Sequence, residues 1–147
     1  MPYAGQPSEK AAVVAAIDPQ SANNTTKATG YVDMRKFQEA LFVAQVGAID
    51  STIDVKIQQA QDSAGTGLKD ITGKSATQLG ATDDNKQVML NLKNEQLDKA
   101  NGFTHARMLM TLGNGTAQLV AGIALGLCPR FGPASDDKAS TVNQIVT

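Results

Sequence analysis

The sequence predicts an all-β protein folded as an antiparallel β-sandwich. Apolar and polar residues alternate with a period of two in several short segments, which is the pattern of half-buried strands. These segments recur at a spacing of roughly 8–12 residues and are joined by turns rich in Gly, Asn and Asp. The chain shows no alternation of strands with helices and no sustained helical period, so the α/β and all-α classes are disfavoured.

The clearest hairpin lies between Ile53 and Gly73. Apolar and polar residues alternate from Ile53 to Gln58, which predicts a strand with one buried face. A cluster of turn formers occupies residues 62–67, where the glycines can take the positive φ of a tight reversal. Leu68 to Ile71 then leads back as a second extended segment.

The remaining C-terminal half divides into further short extended segments. Strands are expected at Ser75 to Leu79, Gln87 to Leu92, Phe103 to Leu112 and Ala117 to Leu127. Asn94 to Asn101 is expected to form a helical turn that Gly102 closes. Asn114-Gly115 stands between the last two strands, and this pair predicts a hairpin that joins them.

The last strand has two faces of different size. One face carries the larger residues Leu119, Ala121, Ile123, Leu125 and Leu127, and the other carries Val120, Gly122, Ala124 and Gly126. Neither face is charged. We therefore expect this strand to pack on both sides or against a partner.

We divide the chain into an N-terminal arm of residues 1–30, a β-sandwich domain of residues 31–133 and a C-terminal tail of residues 134–147. Within the arm, Ala11 to Ile17 can hold a short strand, since Asp18-Pro19 follows too soon for a stable isolated helix. Gln20 to Gly30 is polar and is expected to be a loop.

The start of the sandwich domain combines helix-forming and strand-forming residues. Met34 to Ala40 contains helix formers, so we expect a helical turn there. Leu41 to Val46 has the apolar character of a buried strand and ends at Gly47.

Composition excludes several classes of function. The 13 basic and 14 acidic residues give a net charge of −1 without a block of Lys or Arg, so no nucleic-acid partner is expected. The single cysteine, Cys128, rules out an internal disulfide. The longest N-terminal apolar run, Ala11 to Ile17, is too short to span a bilayer, so we expect a soluble product made in the cytoplasm without a membrane partner.

Gly73-Lys74-Ser75 ends like a phosphate-binding P-loop but does not complete one. The motif requires a glycine at position 68, where this chain has Leu68. It also requires a helix that starts at the lysine, whereas a Gly and a turn cluster follow here. We interpret the segment as a turn between strands, and no nucleotide or other small-molecule substrate is expected.

No residue is assigned a catalytic, cofactor-binding or metal-binding role. His105 is the only histidine, and we expect it on the solvated face of a strand. Cys128 is expected to be a small buried apolar residue. The pairs Asp83-Asp84 and Asp136-Asp137 lack the spaced oxygen ligands of a calcium loop. With no Trp for a sugar platform either, we expect a protein that is not an enzyme and has no cofactor.

Four stretches of the chain resemble the small cement (decoration) proteins of tailed-bacteriophage heads. They are YVDMRKFQEALFVAQVGAI, TIDVKIQQAQDSAGTGLKDITGKSATQL, NKQVMLNLKNEQLDKANGFTHARMLMTLG and AQLVAGIALGLCPRFGPAS. The resemblance covers about residues 31–133 and lies in the residue pattern and the order of the strands rather than in a catalytic motif. It implies a jelly-roll-like sandwich on the capsid exterior that binds the major capsid protein and braces neighbouring subunits, often as a dimer.

The arms fit such a role, because segments that order on contact can wrap neighbouring molecules. We expect Met1–Gly30 and Ala134–Thr147 to supply reaching contacts, with Ala117–Leu127 helping to bury a self-association surface. Deletion of the first ten residues is expected to weaken attachment to heads while the domain stays folded. Three other functions remain open: a head–tail connector or tail component, a sandwich module that binds a peptide or glycan, and a small hydrolase that uses His105.

Overall fold

The computed structural model describes residues 5–134, 137–138 and 140–147. Within these ranges the protein is an antiparallel β-sandwich, as predicted, with three single-turn 3-10 helices at Pro7–Glu9, Asn94–Gln96 and Lys99–Asn101. The strands are β1 (Ala11–Ala22), β2 (Thr25–Ala28), β3 (Val32–Asp33), β4 (Phe37–Val46), β5 (Ile53–Ala60), β6 (Lys69–Ser75), β7 (Gln87–Lys93), β8 (His105–Leu112) and β9 (Gln118–Pro129).

The strands form two sheets that pack face to face. Sheet A has the order β1-β9-β4-β7, and sheet B has the order β2-β8-β5-β6, with the short β3 also paired to β8. Apart from β3, successive strands alternate between the sheets except at the β5–β6 hairpin, which stays in sheet B, and the first and last strands are neighbours in sheet A. Without β3, this order of eight strands is that of a jelly roll, an architecture built from two Greek keys.

The core lies between the sheets and is built from period-two faces. Ile53, Val55 and Ile57 of β5 are buried, and so are Met108 and Met110 of the neighbouring β8. In the described residues, every buried side-chain polar atom has a hydrogen-bond partner. Among the side chains that the structure describes, no buried polar atom is therefore left that would need a ligand.

The hairpin predicted between Ile53 and Gly73 is confirmed by the pairing of β5 with β6. The turn uses Gly65 and Gly67 at positive φ, at +90° and +67°. Asp62 stabilises it by accepting hydrogen bonds from the backbone of Ala64 and Thr66, at 2.9 and 3.0 Å. The helical turn expected near residue 97 is present as the two 3-10 helices around Leu97.

The assignment of residues 11–28 to an arm is wrong. β1 pairs with β9 over almost its whole length, and β2 pairs with β8. The strand predicted at Ala11 to Ile17 is confirmed, but it continues to Ala22, and β2 occupies Thr25–Ala28 within the segment expected to be a loop. Register shifts after Val13 and Ile17 interrupt the alternation of apolar residues. Pro19 is tolerated at the second shift because β1 is at the edge of sheet A. Among β2 to β9, only β9 pairs with it, so the amide that proline lacks is not needed for a second ladder.

The hairpin predicted at Asn114-Gly115 is also wrong. β8 belongs to sheet B and β9 to sheet A, so this connection crosses between the sheets. It is anchored to other loops, since the Gly115 amide donates to Asn23 Oδ1 at 2.9 Å and the Thr116 amide donates to Asp50 Oδ2 at 2.6 Å. These long-range contacts decide the path of the chain, and the local turn residues do not.

Two smaller expectations also need correction. The helical turn predicted over Met34 to Ala40 is limited to residues 34–36, because β4 already begins at Phe37. Gly73-Lys74-Ser75 is the end of strand β6 rather than a turn between strands. Lys74 Nζ donates to the backbone carbonyl of Asn91 at 2.8 Å, so this side chain ties β6 to β7.

Candidate functional site

The feature that stands out is the solvent-facing side of sheet A, because its central rows are apolar. Residues that are directly paired across strands point to the same side of a sheet. One row contains Val13, Leu125, Leu41 and Asn91, and the next contains Ala16, Ile123, Val43 and Met89. We call these eight residues, together with Leu119, Ala121 and Leu127 of β9, the sheet A outer face.

The exposure of this face is large for apolar residues. The exposed fraction is 62% at Met89, 50% at Leu119 and 36% at Ile123. The other apolar side chains of its central rows, such as Leu41 and Val43, are half-buried by their neighbours. A contiguous exposed apolar patch of this kind marks a surface for another molecule.

The inner face of β9 explains why the larger residues point outward. A Cβ on Gly122 would lie 2.7 Å from Met108 Cε, and a Cβ on Gly126 would lie 2.6 Å from carbons of the Phe37 ring. The inner face must therefore be small to accommodate side chains from β8 and β4. The sequence predicted that β9 packs on both sides or against a partner; the structure shows one side filled from within the protein and the other open to solvent.

The outer face of sheet B has the opposite chemistry. A polar chain crosses it from Lys56 through Asp70 and Gln58 to Arg107, with contacts of 2.8 Å, 2.9 Å and 3.0 Å. The Arg107 guanidinium also lies 5.4 Å from the centre of the Tyr31 ring. Hydrogen bonds from Lys56 and then from Gln58 hold the pKa of Asp70 below its ordinary value. The sandwich is therefore polar on one side and apolar on the other.

A groove indents the sheet A outer face beside the second register shift of β1. It runs between β1 and β4 and is lined by Ala16, Pro19, Val43, Ala121 and Ile123. Thr141 lines the same groove, so the C-terminal segment borders this face. The segment reaches it along β1, because the Lys138 amide donates to the Val13 carbonyl at 2.9 Å.

A second surface lies at the end of the sandwich where β4 begins and β9 ends. A small pocket there is lined by Arg35, Lys99 and Arg130. The neighbouring Phe131 is 90% exposed. We call these four residues the basic end. The N-terminal segment joins this region, since the Ala134 amide donates to the Glu9 carbonyl at 2.8 Å.

His105 is buried rather than solvated, so the predicted exposure is wrong. Its Nε2 lies 3.9 Å from Asp33 Oδ2, and its Nδ1 lies 2.8 Å from the Thr104 hydroxyl. β3 covers it, because Asp33 is paired directly with His105. Burial raises the pKa of Asp33, but hydrogen bonds from Arg35 and the nearby His105 outweigh it and leave that pKa lowered. The group is a polar cluster that fixes β3 to β8.

Cys128 is exposed, so the prediction of a buried residue is wrong as well. It stands at the end of β9 with φ at +48°, and its Sγ lies 3.8 Å from Glu39 Oε2. Burial, the charge of Glu39 and the hydrogen bond to it raise the pKa of this thiol. Cys128 belongs to sheet A and His105 to sheet B, so the structure does not bring the two together.

In the two acidic pairs, the described carboxylates accept hydrogen bonds from other groups of the protein. The Asp84 carboxylate accepts the Ile49 amide at 2.8 Å, and Asp83 accepts from Lys86 Nζ at 2.8 Å. Asp137 accepts the Val13 amide at 2.7 Å, whereas Asp136 lies outside the described residues. Across the described ranges, no three His, Cys, Asp or Glu side chains come together as a metal site would require.

The sequence predicted that Ala117–Leu127 contributes to a self-association surface, but it did not reveal the rest of the sheet A outer face or the basic end. The register of β4 and β7 was needed for the first, since Leu41, Val43 and Met89 come from strands that are distant in sequence. Each helix that the structure describes is a single 3-10 turn, far too short to cross a bilayer. In comparison with known proteins, no family model and no curated protein matches the chain.

Proposed function

We propose that the protein is a structural component of a virus particle, a cement protein that binds the outer surface of a tailed-phage head and braces neighbouring major capsid subunits. The observation that supports this most directly is the sheet A outer face. An exposed apolar surface that is not a closed pocket is typical of a subunit that works in an assembly. The resemblance to phage cement proteins is the reason for proposing that this assembly is a phage head.

The contacts with the head are assigned to the basic end and the C-terminal segment. Phe131 is 90% exposed and Val146 is 81% exposed, so both can bury apolar area on a partner. Arg130 and Lys99 beside Phe131 can pair with carboxylates of the shell. Each contact is weak alone, but many identical copies on one shell act together.

The jelly roll provides the rigid part of this brace. The strands that lie next to the basic end, β4 and β9, are paired over nine residue pairs from Phe37–Pro129 to Val46–Val120. A force applied at the basic end is therefore transmitted along the ladder of hydrogen bonds between β4 and β9. The protein acts as a homo-oligomer, with a dimer favoured.

The test is reconstitution with purified heads that lack the protein. Heads are mixed with an excess of the chain and sedimented, and the bound copies are counted by quantitative mass spectrometry. Saturation on the order of hundreds of copies per head supports a cement role. Absence of binding overturns it. Saturation at about six or twelve copies indicates a connector or tail component instead, because those parts form rings.

Two variants locate the contact. Phe131→Ala changes a side chain that is almost fully exposed, so it leaves the fold intact and is expected to weaken head binding at least tenfold. A chain without residues 1–6 keeps the Glu9–Ala134 hydrogen bond and tests the N-terminal arm separately. Lys74→Ala, which changes a contact between β6 and β7, serves as the control. If Phe131→Ala and the control bind heads equally well, the basic end does not contact the head.

A further inference from the structure

The sheet A outer face requires an occupant, and its own chemistry restricts what that occupant is. Its central rows contain one polar residue, Asn91, and no charged residue. Charged side chains lie at its margins: Glu39 and Lys93 are paired with each other in a row at one end of the face, and Asp18 lines the groove beside β1. Because the charges are confined to the margins, the central rows have no electrostatic feature that would select a chemically different partner.

The dimensions of this face suit a dimer. From Leu119 to Leu127 it extends about 26 Å along the strands, at about 3.3 Å per residue. Four strands about 4.8 Å apart give a width of about 19 Å. Each copy therefore offers about 500 Å², and two copies together bury about 1,000 Å², which reaches the lower limit for a specific interface.

The face also complements a copy of itself. In a two-fold dimer the same patch meets itself, so apolar rows meet apolar rows. Two sheets pack face to face at a separation of about 10 Å when side chains project from both, as Met89 and Ile123 do. The groove beside Pro19 offers each copy a depression for a projecting side chain of the other.

We propose that a second copy of this chain covers the sheet A outer face, so that the protein is a dimer with four stacked sheets. The two sheets A form the centre, and the polar outer faces of the two sheets B face solvent. The two basic ends remain free at the ends of the dimer. This arrangement gives a brace with two attachment points, and it does not depend on head binding for its formation.

The test is the oligomeric state of the full chain in solution, measured by sedimentation across a range of concentrations. The expected result is a reversible dimer. Met89→Lys and Ile123→Lys place a charge on two partly exposed positions and are expected to weaken dimerisation at least tenfold each. Thr111→Lys, on the outer face of sheet B, is the matched control and leaves the dimer unchanged. Circular dichroism and thermal unfolding establish that all three variants fold.

A second measurement reports on the face directly. Ile123→Cys in a Cys128→Ser background places one thiol on the sheet A outer face, and its alkylation is followed by mass spectrometry. Labelling is expected to slow as the concentration rises through the dimerisation range. Labelling that is independent of concentration overturns the proposal.

Other occupants give other outcomes, and each of them overturns the dimer. If the chain's own residues 143–147 cover the face, the full chain is a monomer and a chain without them associates. If the capsid covers it, the full chain is a monomer and Ile123→Lys fails to bind heads. If Met89→Lys and Ile123→Lys both leave dimerisation unchanged, the dimer uses another surface. A dimer that forms normally but does not bind heads contradicts the cement function and leaves this inference standing.

Discussion

The ring of Phe37 occupies the space that a side chain at position 126 would need. A Cβ on Gly126 would lie 2.6 Å from two carbons of that ring, closer than real Cβ contacts come. Gly126 is central in sheet A, where β9 is paired on both edges, and Phe37 is fully buried. A glycine on β9 thus allows an aromatic side chain of β4 to enter the core.

Gly126→Ala is therefore expected to lower the free energy of unfolding by about 1–3 kcal/mol, because the aromatic ring and its neighbours must shift to admit one methyl group. Urea denaturation followed by circular dichroism measures this change. Gly80→Ala is the matched control, since nothing lies within 4 Å of a Cβ at that position. Equal stability of the two variants would show that the core near Phe37 yields without cost.

The same contact shows how far the sequence determines the fold. Alternation of apolar residues predicted the existence of β5, β7, β8 and β9, because a strand with one buried face must repeat every second residue. It could not predict which face of β9 is buried. Its larger face points to solvent because the core beneath it is already filled by Met108 and Phe37.

Long-range pairing explains the errors near the N-terminus and between β8 and β9. β1 pairs with β9, which lies at the other end of the strand order, and its register shifts hide the alternation that identifies a strand. At Asn114-Gly115 the turn residues are suited to a hairpin, but Asn23 and Asp50 hold the connection between the sheets. Local sequence contains no information on such partners.

Thr29 is buried beside β8 and completes its hydrogen bonding. The Met108 amide donates to Thr29 Oγ1 at 3.0 Å, where β2 has already ended. Thr29→Val keeps the shape and removes this acceptor, so a buried amide is left without a partner at a cost of about 1–3 kcal/mol. Thermal unfolding should show a lower midpoint than for Thr26→Val, which alters an exposed threonine on the preceding strand β2. If the two midpoints coincide, water or another group satisfies the Met108 amide.

The stability of the fold is expected to fall in acid. The pKa of Asp33 is lower in the folded protein than its ordinary value of 3.8, since the hydrogen bonds from Arg35 and the charge of His105 outweigh the effect of burial. A carboxyl with a lowered pKa stabilises the folded state above pH 3.8, and this stabilisation is lost as the pH falls through the folded pKa. The free energy of unfolding measured from pH 7 downward should therefore decline below about pH 4.

The variant Asp33→Asn distinguishes the contribution of this carboxyl to the acid dependence of stability from the contributions of the other aspartates with lowered pKa values. The variant is expected to be less stable than the wild type at pH 7, and the difference should shrink as the wild-type carboxyl is protonated. Asp18→Asn, at an exposed position without an ion pair among the described residues, is the control. A difference that stays constant down to the most acidic pH would assign the effect of Asp33→Asn to packing rather than to charge.

Cys128 should react slowly for an exposed thiol. Burial raises its pKa first, and the charge of Glu39 and the hydrogen bond to it raise the pKa further. Because the thiolate is the reactive form, alkylation by iodoacetamide at pH 8 is expected to be several-fold slower in the folded chain than in urea. Glu39→Gln removes the negative charge 3.8 Å from Sγ and should accelerate the folded reaction, whereas Glu95→Gln should not. Folded and unfolded chains that react at one rate would contradict the raised pKa, and mass spectrometry of the single adduct distinguishes these results.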